Sequence, residues 1–285
     1  MPIILIILCT VTVTVQQVFK KQYSLRCEGG NYFFSASVSF FALLFFLFTP
    51  GKIRLSTDIL PYSVGFAAVF AMATVYSVLA LKIGSLAITS LVLSYSLIIP
   101  TLYGFLFLDE KITPFKCGGI LLLLISIFLI RSETKESDKT NKPTVKWIIY
   151  VLTAFVSNGM CSVVQNAQQR KFEGTQNSNF MILALIISTA VLLVLSLIFE
   201  RNTILNVLKK GTVLSTACGI CNGATNYLVM VIIAMVASSV FFPVLSAGQL
   251  VLTFAISVLM YKEKFIPRQI VGLGCGILSL VLLNI

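Results

Sequence analysis

The chain predicts an all-α, polytopic membrane protein of about ten transmembrane helices arranged as two inverted five-helix repeats. Three observations carry this. Hydrophobic residues make up 58% of the 285 residues and charged residues 11%, with a mean hydropathy of +0.98. A soluble domain is about half apolar at most and about a quarter charged. Second, the apolar residues come in continuous runs of about twenty, the length that carries a helix across hydrocarbon. Barrel strands would alternate over about ten residues, and only helices and closed barrels satisfy their own backbone in lipid. Third, a set of sequence marks in the first half recurs, in order, in the second.

In chain order the spans fall at 2–19, 31–49, 59–81, 84–108, 114–130, 145–168, 178–199, 212–235, 237–261 and 266–284. The first run, from Pro2 to Val18, lacks a basic lead-in and a small-residue cleavage site. It reads as a first helix and not as a signal peptide. Lys82-Ile83-Gly84 is all that divides the third span from the fourth, and Met235 to Ser238 all that divides the eighth from the ninth. Arg131 to Pro143, RSETKESDKTNKP, is polar, charged and closed by proline. It reads as a flexible linker. The organisation is a first repeat over 1–130, a linker over 131–144 and a second repeat over 145–285.

The recurring marks support that division. Glu110-Lys111-Ile112-Thr113-Pro114 matches Glu263-Lys264-Phe265-Ile266-Pro267, and Gln16-Gln17 matches Gln168-Gln169. Ser85 matches Ser238 and Gly119 matches Gly272, all at nearly one spacing along the chain. A single spacing points to internal duplication. An odd number of spans per copy inverts the second against the first, the arrangement common among secondary transporters.

The net charge is +11. The lysines and arginines sit in short connections with no basic stripe or aromatic platform, so they read as topology-setting charge near lipid headgroups. No nucleic acid is implied. Six of the Lys and Arg residues fall on the side of the two termini and fifteen, Lys20 and Lys21 among them, on the other. By the positive-inside rule this puts the termini outside and the linker in the cytoplasm. The scattered cysteines read as small hydrophobes, not as a disulfide framework. Cys218-Gly-Ile-Cys221 lies inside an apolar run, where a redox motif has no supporting context.

The segment Ala80 to Ile130 resembles the fourth and fifth helices of an EamA repeat in the drug/metabolite transporter superfamily. The matching features are Ala80-Leu81, Gly84-Ser85, mid-span Pro100, Glu110 followed by Lys111, and Gly118-Gly119. The second copy keeps Ser238-Ser239, Glu263-Lys264 and Gly272, but places Thr253 opposite Pro100 and its own Pro243 earlier in the span. The resemblance runs over nearly the whole chain as a ten-span, two-repeat pattern. It implies a carrier with a central cavity lined by the first, third and fourth spans of each repeat. Many members have cytoplasmic termini, against the charge count above.

A polar side chain in lipid is costly unless it faces a partner or a wet cavity. Asn158, Ser162, Gln165 and Gln169 share one helical face of the sixth span. Ser215, Cys218, Asn222 and Thr225 or Asn226 share a face of the eighth, and Ser239, Ser246, Gln249 and Thr253 of the ninth. The first repeat offers Thr10, Thr14 and Gln17, then Tyr76, then Ser90, Ser94, Tyr95 and Thr101. Hydroxyls in membrane helices often bond back to their own backbone or pack against a neighbour. Amides need several partners. The candidate substrate-binding set is therefore Thr14, Gln17, Tyr76, Ser94, Tyr95, Asn158, Gln165, Asn222, Asn226 and Gln249. Pro100 and Pro243 are candidate helix kinks. Glu110 with Lys111 and Glu263 with Lys264 read as interfacial ion pairs that fix turns.

There is no histidine, and no Asp or Glu falls inside a span. Proton relays in membranes commonly need one of these. Small multidrug resistance proteins, distant relatives of the fold, use a glutamate in the first helix; here that helix offers Gln16 and Gln17. An uncharged cavity rich in amides and hydroxyls suits a neutral or zwitterionic metabolite, amino-acid-like, carried by alternating access. With no histidine and no carboxylate inside a span, the chain supplies almost no nucleophile, base or metal ligand for an enzyme, and no cofactor or metal is expected. The alternatives are a carrier of hydrophobic drugs or lipid-linked sugars, and a non-transporting accessory subunit. The expected partners are membrane lipids and a small-molecule substrate. The expected assembly is a monomer or homodimer in the cell (inner/plasma) membrane.

Overall fold

The computed structural model describes residues 2–49, 57–97, 99–100, 103, 114–131, 145–172, 176–233, 235, 238–263 and 265–283. The linker from 132 to 144, Glu110, Lys111 and Lys264 lie outside the described residues. Every described element is helical. In order they are α1 (Pro2–Arg26), α2 (Asn31–Leu47), α3 (Leu60–Ile83), α4 (Leu86–Ser94), α5 (Pro114–Arg131), α6 (Val145–Phe172), α7 (Asn177–Phe199), α8 (Ile204–Lys210), α9 (Thr212–Ile233), α10 (Ser238–Tyr261) and α11 (Pro267–Leu283). Short 3-10 turns precede α3 at Thr57–Ile59 and follow α4 at Tyr95–Leu97.

Among the described residues, five stretches are long and apolar enough to cross a membrane: Ile3–Arg26, Thr57–Ile83, Val145–Phe172, Asn177–Phe199 and Val244–Tyr261. The distribution of polarity is that of a membrane protein. Apolar side chains face outward, with Ile4 70% and Leu259 77% exposed, while Ser39, Thr89 and Ser188 are fully buried. In water this would be an unstable surface. In lipid it is the favoured one, because small hydroxyl residues let helices approach closely.

Close approach is visible at the glycines of α9. A Cβ at Gly219 would collide with Val38 and Phe41 of α2, and one at Gly223 with Phe45. The principal helix pairs are α1 with α9, α3 with α6, α2 with α7 and with α9, α3 with α7, α1 with α10, α4 with α10, α1 with α3, α10 with α11, α4 with α6, and α5 with α11.

The helix ends follow from local chemistry. α1 continues to Arg26, beyond the expected end at residue 19, because Lys20 and Lys21 are held inside the bundle. The turn to α2 uses Gly29 and Gly30 at φ of 118° and 70°, a region that costs a side chain but not glycine. The Tyr23 hydroxyl donates to both carbonyls, at 2.7 and 2.8 Å. The N-terminus of α2 lacks a side-chain cap of its own. Glu200, beyond the end of α7, supplies one: its carboxylate accepts from the amides of Asn31 and Tyr32, both at 2.8 Å. An anion there also meets the positive end of the helix dipole. α3 stops at Ile83, Gly84 is extended, and Ser85 caps α4 by accepting from the Ile88 amide at 3.1 Å.

Candidate functional site

The most connected polar cluster lies between α1 and α9. Thr12, Gln16 and Lys20 are spaced four apart, so they stand one above another on one face of α1. Gln16 is 6% exposed and uses its whole amide. Its Nε2 donates to Thr225 Oγ1 at 2.7 Å and to the Cys221 carbonyl at 3.3 Å. Its Oε1 accepts from Asn222 Nδ2 at 3.0 Å. Thr225 donates on to Thr12 Oγ1 at 2.9 Å. Asn226 Nδ2 donates back to the Asn222 carbonyl and Oδ1, at 2.9 and 3.2 Å. Asn222 and Asn226 thus fall in one network with Gln16. At the upper rung Cys218 Sγ donates to the Gln16 carbonyl at 3.8 Å.

Lys20 and Lys21 differ from their reading as loop charges. Lys20 is 9% and Lys21 8% exposed. Lys20 Nζ donates to Ser77 Oγ on α3 at 3.2 Å. Lys21 Nζ donates to the Leu81 and Gly84 carbonyls at 2.8 and 2.6 Å, closing the C-terminus of α3. The Glu263 carboxylate stands at the same break. It accepts from the Leu86 amide at 2.9 Å and from the Ser257 hydroxyl of its own turn, and it lies within electrostatic reach of Lys21. The α3–α4 break is thereby tied to α1 from one side and to the α10–α11 turn from the other.

A second cluster joins α4 to α6. The chain passes from α-helix into the 3-10 turn Tyr95–Leu97 shortly before Pro100. Proline has no N–H for the carbonyl of Ser96. That carbonyl lies against Gly159, where a Cβ would collide with it. Asn158 Nδ2 donates to Ser96 Oγ at 2.8 Å. Pro243 leaves α10 unbroken from Ser238 to Tyr261.

The remaining candidates are dispersed. Thr14 bonds the Thr10 carbonyl of its own helix at 2.8 Å, and Ser94 the Ser90 carbonyl at 2.9 Å. Tyr95 is fully buried and shares a hydrogen bond with Ser126 of α5, which donates on to the Gly272 carbonyl of α11. Tyr76 stands beside Tyr150 with ring centroids 5.9 Å apart. Gln165 and Gln249 are half-buried. Gln17 Oε1 is buried without a hydrogen-bond partner, as are both amide atoms of Gln168, the residue matching Gln16 in the second half. Gln168 sits on α6, which packs on α3, where Phe66 and Phe70 contribute to an apolar cluster.

Lys20, Ser77 and Thr12 join these contacts without being among the candidates that the sequence offers. The four-residue spacing of Thr12, Gln16 and Lys20 was the available signal. It was obscured because two adjacent lysines look like the end of a span.

No family model matches the chain, and no curated protein matches it. Among solved structures, 28 chains match. One of them, described only as "Crystal structure of protein", covers 96% of this chain and 97% of its own, with a TM-score of 0.61 at 13% identity. At that identity the likeness is one of fold, and it extends over essentially the full length of both chains.

Proposed function

We propose that this chain is a secondary transporter of a small polar solute, neutral or zwitterionic and amino-acid-like, working by alternating access from the cell membrane as an efflux or exchange carrier. The observation that carries this reading is the α1–α9 network of Thr12, Gln16, Asn222, Thr225 and Asn226 inside a chain that is 58% hydrophobic. Buried amides in lipid are expensive, and their concentration marks a polar pathway better than it marks a packing seam.

The helix pairs support the ten-span, two-repeat arrangement. Exchanging α1 with α6, α2 with α7, α3 with α9, α4 with α10 and α5 with α11 turns α1–α9 into α3–α6, α2–α9 into α3–α7 and α1–α10 into α4–α6, while α2–α7, α4–α10 and α5–α11 map onto themselves; α1–α3 has no comparable counterpart between α6 and α9 among the described residues. Such interchange is what an inverted duplication produces, and rocking of one repeat against the other would expose a site between them to each side in turn. The EamA-type resemblance of Ala80 to Ile130 points the same way.

The test is uptake into proteoliposomes from a panel of labelled amino acids, nucleosides and other small metabolites, with Asn158→Ala, Asn222→Ala and Gln249→Ala in parallel. Saturable uptake that falls in Asn222→Ala supports the proposal. Uptake indifferent to all three substitutions would remove the site assignment. Movement of hydrophobic dyes or lipid-linked sugars alone would favour the alternative carrier, and no movement of any pool the accessory subunit.

A further inference from the structure

A cleft of about 360 Å³ opens between the α1–α2 turn and the turn from α7 to α8, away from the α1–α9 network. Gly29 and Gly30 line one wall and the stretch from Ile198 to Thr203 the other. The walls stand close, since a Cβ at Gly29 would lie 3.3 Å from Thr203. By the share of the liquid that each water takes, the cleft has room for about a dozen waters.

Its depth in the molecule is informative. Glu200 follows directly on Asn177–Phe199, a stretch long and apolar enough to cross a membrane. The cleft therefore stands where such a span meets lipid headgroups. Its outer rim is apolar, with Ile198 65% and Phe199 68% exposed.

The inner surface carries both signs of charge. A carboxylate has about four acceptor positions. On Glu200 three are taken by the amides of Asn31, Tyr32 and Phe33, at 2.8, 2.8 and 3.3 Å, and one is left. Next along the chain, Arg201 and Asn202 are exposed, and among the described residues neither side chain has a hydrogen-bond or ion-pair partner. A guanidinium presents its N–H groups as a planar fork that matches a phosphate. One cleft thus offers a spare carboxylate acceptor, free donors for a phosphate and an apolar edge at headgroup depth.

We propose that this cleft binds a glycerophospholipid whose headgroup carries a primary ammonium beside its phosphate, as in phosphatidylethanolamine. Arg201 and Asn202 donate to the phosphate, the ammonium donates to the remaining position on Glu200, and the acyl chains lie along Ile198 and Phe199. Phosphatidylcholine has no N–H for Glu200, and phosphatidylglycerol has no cation. The site is independent of the transport reading.

The experiment holds the full-length protein in phosphatidylcholine nanodiscs, replaces a rising fraction of the lipid and follows thermal unfolding. Phosphatidylethanolamine raises the unfolding midpoint saturably, and phosphatidylglycerol needs a higher fraction for the same rise. Soluble O-phosphoethanolamine, without acyl chains, leaves the midpoint unchanged. Arg201→Gln raises the phosphatidylethanolamine fraction needed for half the effect about tenfold, as loss of a charge-assisted hydrogen bond requires. In phosphatidylcholine alone that variant unfolds with the wild type, because its guanidinium has no partner to lose. Lys210→Gln, an exposed charge at the far end of α8, leaves the response intact. Glu200→Gln, compared across lipids so that its own lower stability cancels, loses the preference for phosphatidylethanolamine over phosphatidylglycerol. A phosphatidylethanolamine response unchanged in Arg201→Gln would mark an effect of the bulk bilayer and overturn the site. So would equal responses to phosphatidylethanolamine and phosphatidylglycerol, an equal weakening in Lys210→Gln, or a response to soluble phosphoethanolamine without one to the lipid.

Discussion

Gln16 shows how much one side chain can hold. Its three hydrogen bonds all cross from α1 to α9. Truncating it in Gln16→Leu leaves Asn222 Nδ2 unmatched, while the Cys221 carbonyl keeps the Thr225 hydroxyl as a donor at 2.8 Å. Interhelical hydrogen bonds in membranes are worth about 0.6 kcal/mol on average and up to about 1.7. The expected loss is therefore about 1–3 kcal/mol in a reversible unfolding measurement. The double variant Gln16→Leu, Asn222→Leu should lose less than the two single variants added, because a partner removed together with its mate leaves nothing stranded. Additivity would show that the two residues act independently. The same residue scale marks the limit of sequence reading. Asn222 and Asn226 were legible because amides are rare in apolar runs. Lys20 was not, because burial of a lysine is decided by what α3 and α9 place around it, and that is invisible along α1 alone. Tyr95, a substrate-binding candidate by sequence, is fully buried and shares its hydroxyl with Ser126 of α5, a partner that no spacing along the chain announces.

At the scale of elements, the α3–α4 break is the place where sequence and structure meet most closely. Gly84 was marked as the division, and α3 does end beside it. What the sequence could not show is that the indole of Trp147 on α6 fills the space beside Gly84 and donates to Thr89 Oγ1 at 3.2 Å. Gly84→Val should cost about 1–3 kcal/mol by overpacking, while Gly65→Ala, in open space on α3, should not destabilise and serves as the control. Glu200 offers a second test. It caps α2 from the far end of α7, a contact no local motif announces. Glu200→Gln should lower stability by about 1 kcal/mol through loss of a charged cap, and hydrogen exchange should rise first at Asn31 to Phe33. Exchange unchanged at those amides would show that the cap is dispensable.

For the whole molecule, composition and run length were enough to read a helical membrane protein, since only helices and closed barrels satisfy their backbone in lipid and the continuous runs of about twenty residues exclude barrel strands. The pairing of helices was not legible, because it depends on which small residues permit close contact. Moving Lys20 and Lys21 out of the loop tally weakens the charge bias but leaves it pointing to a cytoplasmic linker. A cysteine introduced as Lys139→Cys should resist a membrane-impermeant maleimide applied to intact cells and react after permeabilisation. Reaction in intact cells would reverse the orientation.

The α1–α9 network has one further consequence, for insulation. Gln16, Asn222, Thr225 and Thr12 satisfy one another when nothing else is bound. An empty passage lined by such residues has little need of water to complete its hydrogen bonds, and a dry passage conducts neither protons nor ions. On the transport reading proposed above, the mutual bonding of these four side chains is a seal that a solute has to replace bond for bond. Gln16→Leu, which strands the Asn222 side-chain donor there, should admit water and raise the passive dissipation of a pH gradient in proteoliposomes, before any solute is added.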